Sequence, residues 1–553
     1  MTGPFNLNSI PVPQSFALAD AQVEAIQQQQ QLAYPRFLVT MYNNVYGALG
    51  IIGDYISCEV EFKRNGVGTG TIVCKGSDPL GQYAMNCRST VVGITVQINE
   101  MRWSGRVDTC DYADVDGVQT YTLQLKSDYA WFSRILIWPN FLLPLEVQYP
   151  TQAVFVGPAI TNLKELIAEQ CIRLQLGLWE ILNNIYDPAA WFATTMVDEG
   201  LQTPIAVVPS NPLTDTSPWI AVVCQMDTVE TIAEQICKST GLILTADLWL
   251  PGDPQPPGLT LTKPTIVVDV KDKSGVTGPT GTVIDGLIED VASLLQGAYA
   301  ESALPLNGTE YLPPGVSINP VLGVNWTPPW VVYEPDNQRS GVKEVHITAH
   351  HPLAYTVLSG GKSPQWVNDL INLALEALMS GILGAIAEIP GLGGVASAAG
   401  VADNLLDGIF NNVVLAWDEL ENAPRRIALG AYGFPEFPTG IGSTAWTLDS
   451  AFSLLNGMFD CRGYISMQMT VTDEYPYQFG RDLNLGDLAS FVHLNMLYTD
   501  YVDSIKASDT RDQRTLVTAT IGDGQAEESP LAVIQRRMSG ALAALQVALL
   551  SSN

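Results

Sequence analysis

The stretch Val91–Trp138, VVGITVQINEMRWSGRVDTCDYADVDGVQTYTLQLKSDYAWFSRILIW, decides the fold of this chain. Two runs rich in Val, Ile, Thr, Tyr and Trp, Val91–Trp103 and Tyr121–Trp138, flank the turn at Asp116–Gly117. An Asp-Gly pair accepts the positive φ that tight hairpin turns need, so the pattern predicts a β-hairpin. Upstream, Phe37–Tyr42 leads to a turn at Asn43–Asn44, and Tyr55–Phe62 and Gly70–Cys74 follow as further short strands. Strands punctuated by turns, without a long helix, predict a small barrel or sandwich over residues 34–150. Residues 1–33 read as an arm with a short polar helix around Ala17–Leu32.

Downstream the pattern mixes. Residues 151–340 read as a mixed α/β domain. Its first helix is predicted over Thr161–Asn184, with Asn162 and Glu165 as a capping box and apolar residues at helical spacing. A second helix is predicted at Val229–Ser239, a strand at Ile266–Lys271, a Gly/Thr loop at Ser274–Gly281 and a helix at Ile284–Leu295. Residues 303–335, rich in Pro and Trp, read as irregular. A strand region covers 341–364, with Lys343–Thr348 alternating. A second β-barrel domain is predicted over 425–525, with Met467–Thr472 and Thr515–Ile521 as its clearest strands. The fold class is mainly β with helical insertions.

One insertion stands apart. Leu370–Phe410 is apolar, rich in Gly and Ala, and from Ala377 to Ala402 carries only the charge of Glu388. Pro390 and Gly391 cut it too short for a membrane span of about 18 or more residues. The prediction is a helical hairpin within 365–424, Val367–Ile389 and Val395–Trp417. Leu370, Leu375, Leu378, Ile382, Leu383, Ile386, Leu405, Leu406, Ile409 and Phe410 are its candidate oligomer or membrane contacts. Burial in the chain's own core is the other reading. Residues 526–553 read as a C-terminal amphipathic helix, with Leu531, Ile534, Met538, Leu545 and Leu549 as a coiled-coil-like seam. A helix packed on its own barrel fits the same stripe.

Composition narrows the function. The 27 basic and 57 acidic residues give a net charge of −30, which disfavours a protein that grips phosphates nonspecifically. Eight scattered cysteines without a CxxC pair resemble neither a disulfide framework nor a zinc site. Met1–Ser15 lacks a basic start and an apolar core, so synthesis in a cytoplasm is expected.

Catalytic motifs are missing. Gly361-Lys362-Ser363 lacks the first glycine of a P-loop, since position 356 is Thr356. The Asp111–Gly117 run puts Leu123 where a calcium loop needs a carboxylate. His346 and His350 would share a strand face with Glu344, which is thin for a zinc site. No HExxH or GxSxG is present. No catalytic residue, cofactor or metal is therefore assigned, and the chain reads as a non-enzyme.

Five segments carry a family resemblance. They are Tyr34–Thr40; Ile137–Pro144 followed by Gln148; Val267–Val283, within a loop reaching Gly286; Gly360–Asn368; and Gly480–Asp487. In this order they resemble minor tail proteins of long-tailed phages infecting actinobacteria, the tail-tip (baseplate) hub group. The resemblance implies a homotrimer in the virion tail tip, with two small β domains per subunit matching a hexameric tube to a threefold tip. It implies a distal tail-tube ring protein, the tape measure protein and other minor tail proteins as partners. DNA would pass an acidic wall without tight binding, and the apolar hairpin would seal the lumen or touch the host membrane. Alternatives are a tail-associated cell-wall hydrolase with a site hidden in 151–340, and a membrane-perforating tip protein.

Overall fold

The computed structural model describes residues 37–143, 145–175, 204–286, 289, 307–310, 317–319, 324–327, 329–334, 341–358, 419–438, 457, 460–473, 476–493, 496–511 and 515–522. The expected arm, most of the apolar insertion and the C-terminal helix expected from the sequence lie outside them.

The N-terminal strands are Leu38–Tyr42 (β1), Ala48–Ile51 (β2), Tyr55–Lys63 (β3), Thr69–Lys75 (β4), Gly93–Ile98 (β5), Met101–Val115 (β6) and Val118–Ser127 (β7). The hairpin predicted at Asp116–Gly117 forms, with φ of 51° and 81° at those two residues. Its arms differ from expectation. Val91–Trp103 is broken at Asn99, whose φ of 51° makes a second tight turn between β5 and β6. The strand predicted to reach Trp138 stops at Ser127, where Asp128–Ser133 winds into a 3-10 turn. That turn carries Tyr129 and Phe132 inward, edge to face at 4.9 Å.

The middle of the chain forms Ala153–Pro158 (β8), Ile205–Val207 (β9), Trp219–Cys224 (β10), Leu242–Trp249 (β11), Thr265–Asp272 (β12) and Val276–Thr277 (β13). Its helices are Ala159–Gln175 (α2) and Val229–Thr240 (α3); a short α1, Pro79–Ala84, precedes β5. The predicted capping box is replaced. Helix α2 begins before Asn162, and its first amides donate to residues more than 50 positions away: Ile160 N to Ser217 Oγ (3.1 Å) and Thr161 N to Asp215 Oδ2 (2.8 Å). Helix α3 is capped locally, by the Thr228 side chain at its start and left-handed Gly241 at its end. The two helices cover β8–β12 and enclose a second apolar core containing Leu163, Ile167, Ile236, Leu244 and Val268.

Short strands appear where the sequence reads as irregular: Asn307–Glu310 (β14), Ser317–Asn319 (β15), Val324–Trp326 (β16) and Val332–Tyr333 (β17). β14 and β17 are held by longer strands, β14 by the start of Met496–Thr510 and β17 by Leu488–His493, whereas β15 and β16 pair with each other and β16 also with β13. The remainder comprises Val342–His350 (β18), Thr356–Leu358 (β19), Glu419–Glu421 (β20), helix α4 at Ala423–Leu429, Glu436–Pro438 (β21), Tyr464–Thr472 (β22), Leu488–His493 (β23), Met496–Thr510 (β24) and Leu516–Ile521 (β25).

Both β regions join one 14-stranded sheet, whose main path runs β18-β22-β25-β24-β3-β4-β7-β6-β5-β1-β2. Two runs along it have the same plan. In the first, β3, β4, β7, β6 and β5 pair in turn; in the second, β18, β22, β25, β24 and β23 do so. The longest strands, β6 and β24, occupy matching places, each 15 residues long. Each pairs with a six-residue strand over its first half, then slips register before pairing onward: between Val107 and Thr109 in β6, and between Val502 and Ser504 in β24. An aspartate, Asp108 or Asp503, stands at each slip, the arrangement of a β-bulge that bends its strand. A single apolar core, from Val39 and Ile94 to Ile505 and Ile521, underlies both units. The units join where β24 pairs antiparallel with β3, Ser504–Thr510 against Ser57–Lys63.

Candidate functional site

The residue types that carry chemistry do not converge. Among the described residues no group of three His, Cys, Asp or Glu is placed to hold a metal. His346 and Glu344 meet at 2.7 Å on the exposed face of β18, while His350 stacks on Tyr464 at 4.2 Å. All eight cysteines are free thiols. Burial pushes Cys74 and Cys171 up to about 12 and Cys110 to about 11, so these stay protonated at neutral pH and are poor nucleophiles.

The segments that carry the family resemblance instead build joints. In the 267–286 segment Asp285 is buried, and its carboxylate accepts hydrogen bonds from Thr280 N (2.9 Å), Thr280 Oγ1 (2.6 Å) and Gly281 N (2.6 Å). Trp219 Nε1 donates to Val283 O at 2.9 Å and ties the loop to β10. Lys273 forms an ion pair with Asp487. Two distant motifs, 267–286 and 480–487, thereby meet beside the start of β23. In the second, Gly480 and Gly486 take φ of 88° and 78°, conformations that favour glycine. Gln148 closes its own loop, donating to Asn140 O (3.0 Å) and Leu143 O (2.7 Å) while accepting from Asn140 N (2.8 Å).

The seam between the sheet and the helical layer is polar. Asn65, in the left-handed region, binds β11 with both ends of its side chain: Nδ2 to Leu242 O (2.9 Å) and Leu244 N to Oδ1 (2.8 Å). Arg102 grips Asp253 through two hydrogen bonds, and Arg64 lies 3.8 Å over the Tyr501 ring. Asp128 is fully buried nearby; burial pushes its carboxyl up to about 6, with Ser104 and Arg106 pulling the other way.

What remains open to other molecules is sheet edge and apolar loop. The outer edge of β18 and the distal half of β6, on its side away from β7, have no paired strand among the described residues. Asp111–Val115 are exposed, as are Val115 and Val118 at the hairpin tip. The loop pinned by Gln148 exposes Leu142, Leu145, Val147 and Tyr149. Such a surface suits assembly with other proteins better than turnover of a small molecule.

All the sequence-assigned contact residues, Leu370 to Phe410 and Leu531 to Leu549, lie outside the described residues. The open edge of β6 was missed because its acidic run, Asp108, Asp111 and Asp114, reads as a solvated hairpin; its 15-residue length is the signal that was available.

The family model described as Siphovirus ReqiPepy6 Gp37-like protein matches residues 38–523. Minor tail protein Gp28 of Mycobacterium phage D29 is 25% identical over 476 residues, covering 78% of this chain and 79% of that protein. Minor tail protein Gp28 of Mycobacterium phage L5 is 23% identical over 498 residues, covering 82% and 83%. Among solved structures, the 43 kDa tail protein of prophage MuSo2 from Shewanella oneidensis is similar at a TM-score of 0.38 and 11% identity, over 90% of this chain and 99% of that one. The resemblance to minor tail proteins of actinobacterial phages therefore holds. With a match that runs from β1 to the end of β25, the chain belongs to the Siphovirus ReqiPepy6 Gp37-like family.

Proposed function

We propose that this chain is a structural minor tail protein, three copies of which form the hub ring of a phage tail tip. The observation that carries the reading is the repeated unit: each chain holds two five-strand units of one plan, so three chains offer six related positions. A ring of that kind matches a sixfold tube to a threefold tip. Its role is architectural, with the tube ring, the tape measure protein and other minor tail proteins as neighbours. The scarcity of cations supports a lumen that DNA crosses without being held, since carboxylates repel phosphates over about 10 Å at roughly 0.1 M salt. On this reading the apolar insertion at 365–424 is buried in the ring or against another tail protein until infection and then meets the host membrane. Copy number in purified tails, quantified by mass spectrometry against the tube protein, tests the proposal. Three copies per tail are expected; one, two or six would refute it.

A further inference from the structure

The in-chain joint between β24 and β3 is a template for a joint between chains. The two five-strand units correspond strand by strand, and the second unit's long strand meets the first unit's outermost strand. The same step, taken once more, leads from the first unit's long strand, β6, to the second unit's outermost strand, β18. Among the described residues neither the distal half of β6, beside which the 3-10 turn Met85–Arg88 packs, nor the outer side of β18 has a paired strand.

The ladders fix the register. Counting from the slips after Val107 and Val502, residues Cys110, Asp111 and Tyr112 stand where Ile505, Lys506 and Ala507 stand. Across β4 and β22, Val345, His346 and Ile347 stand where Val60, Glu61 and Phe62 stand. At the in-chain joint Lys506 pairs with Glu61, their charges 3.6 Å apart, while Ile505 faces Phe62 and Ala507 faces Val60. We propose that the edge of β6 pairs antiparallel with β18 of a second copy of this chain, Asp111 lying opposite His346 of the partner subunit. This rests on the ring reading above and names the interface that closes the ring.

The side chains suit the register. Asp111 opposite a histidine sets a hydrogen-bond acceptor against an imidazole at the place where Lys506 meets Glu61. On the core-side face exposed Tyr112, 46% accessible, gains Val345 of the partner subunit, and half-buried Cys110 gains Ile347 of the partner subunit. The β6 edge carries Asp108, Asp111 and Asp114, whereas β18 brings Lys343, His346 and His350 beside Glu344. The contact is head to tail, because the two edges belong to different units, so it closes a ring when the rotation allows.

Opposed residues on antiparallel strands lie about 4.5–5.5 Å apart, within disulfide range. The test is the double variant Asp111→Cys, His346→Cys, carried in phage tails and oxidised, with each single variant as control. Both positions are exposed, so folding is not at risk. Covalent multimers on a non-reducing gel, closing to the copy number of the ring, reversed by reductant and missing from both single variants, are the expected result. A multimer that assembles without cross-linking overturns the β6–β18 pairing and leaves the ring reading intact. A chain present once per tail overturns both. A charge exchange adds a second readout: Asp111→Lys should impair assembly, and Asp111→Lys with His346→Glu should restore it by reproducing the Lys506–Glu61 pair. Failure of the exchange to rescue counts against the register.

Discussion

Asp128 shows how one residue couples this protein's stability to pH. It opens the 3-10 turn after β7 and is wholly buried, and burial raises its carboxyl from 3.8 to about 6. The sign follows from which state binds the proton. Between pH 4 and 6 the folded chain holds it and the unfolded chain has lost it, so stability falls as pH rises through that window. About two pH units correspond to about 3 kcal/mol. Asp128→Asn removes this dependence. Relative to the variant, the parent should be about 3 kcal/mol less stable at pH 7 than at pH 4, as measured by urea unfolding of both proteins at the two pH values. Parallel stability–pH profiles would contradict the assignment. Nothing in the local pattern marks this residue. Asp128 sits at the end of a run that reads as strand, and its burial depends on β11 and Arg106, which are distant in the chain.

At the level of elements, what could be read locally came out close to observation. The Asp116–Gly117 hairpin needs only its own two residues, and α3 carries both of its caps, Thr228 and Gly241, in adjacent sequence. What failed depended on distant partners. Helix α2 takes its cap from Asp215 and Ser217, beyond the reach of a local capping-box search. The strands β14 to β17 are too short to stand alone and exist because β23, β24 and one another pair with them. The 15-residue length of β24, unpredicted, reflects its place in two sub-sheets, β23 and β14 beside its first half, β25 and β3 beside its second. The joint at Gly286 is similarly non-local. A Cβ there would lie 1.9 Å from Ser217 O and 2.7 Å from its carbonyl carbon, so backbone would have to move. Gly286→Ala should cost about 3 kcal/mol, at the upper end of overpacking effects. Gly53→Ala is the matched control, since nothing lies within 4 Å of its Cβ. Equal denaturation midpoints for the two variants would show that the 267–286 loop yields freely.

At the scale of the molecule, the two β regions read from the sequence are linked through one core and one sheet, with β24 against β3 as the hinge of the arrangement. Sequence patterning shows strands but not which edges meet, because pairing over more than 400 residues leaves no periodic trace. Nor did it show that both regions follow one plan; the match lies in strand order, strand length and the Asp-bearing slips, not in residue identity. A ring of three chains, each supplying two equivalent units, is checked by a reconstruction of the intact tail tip without imposed symmetry. Threefold symmetry about the tail axis is expected, with the β3–β7 unit and the β18–β25 unit of every chain alternating about 60° apart. Sixfold or twofold symmetry for this chain, or two units at different radii, would contradict it.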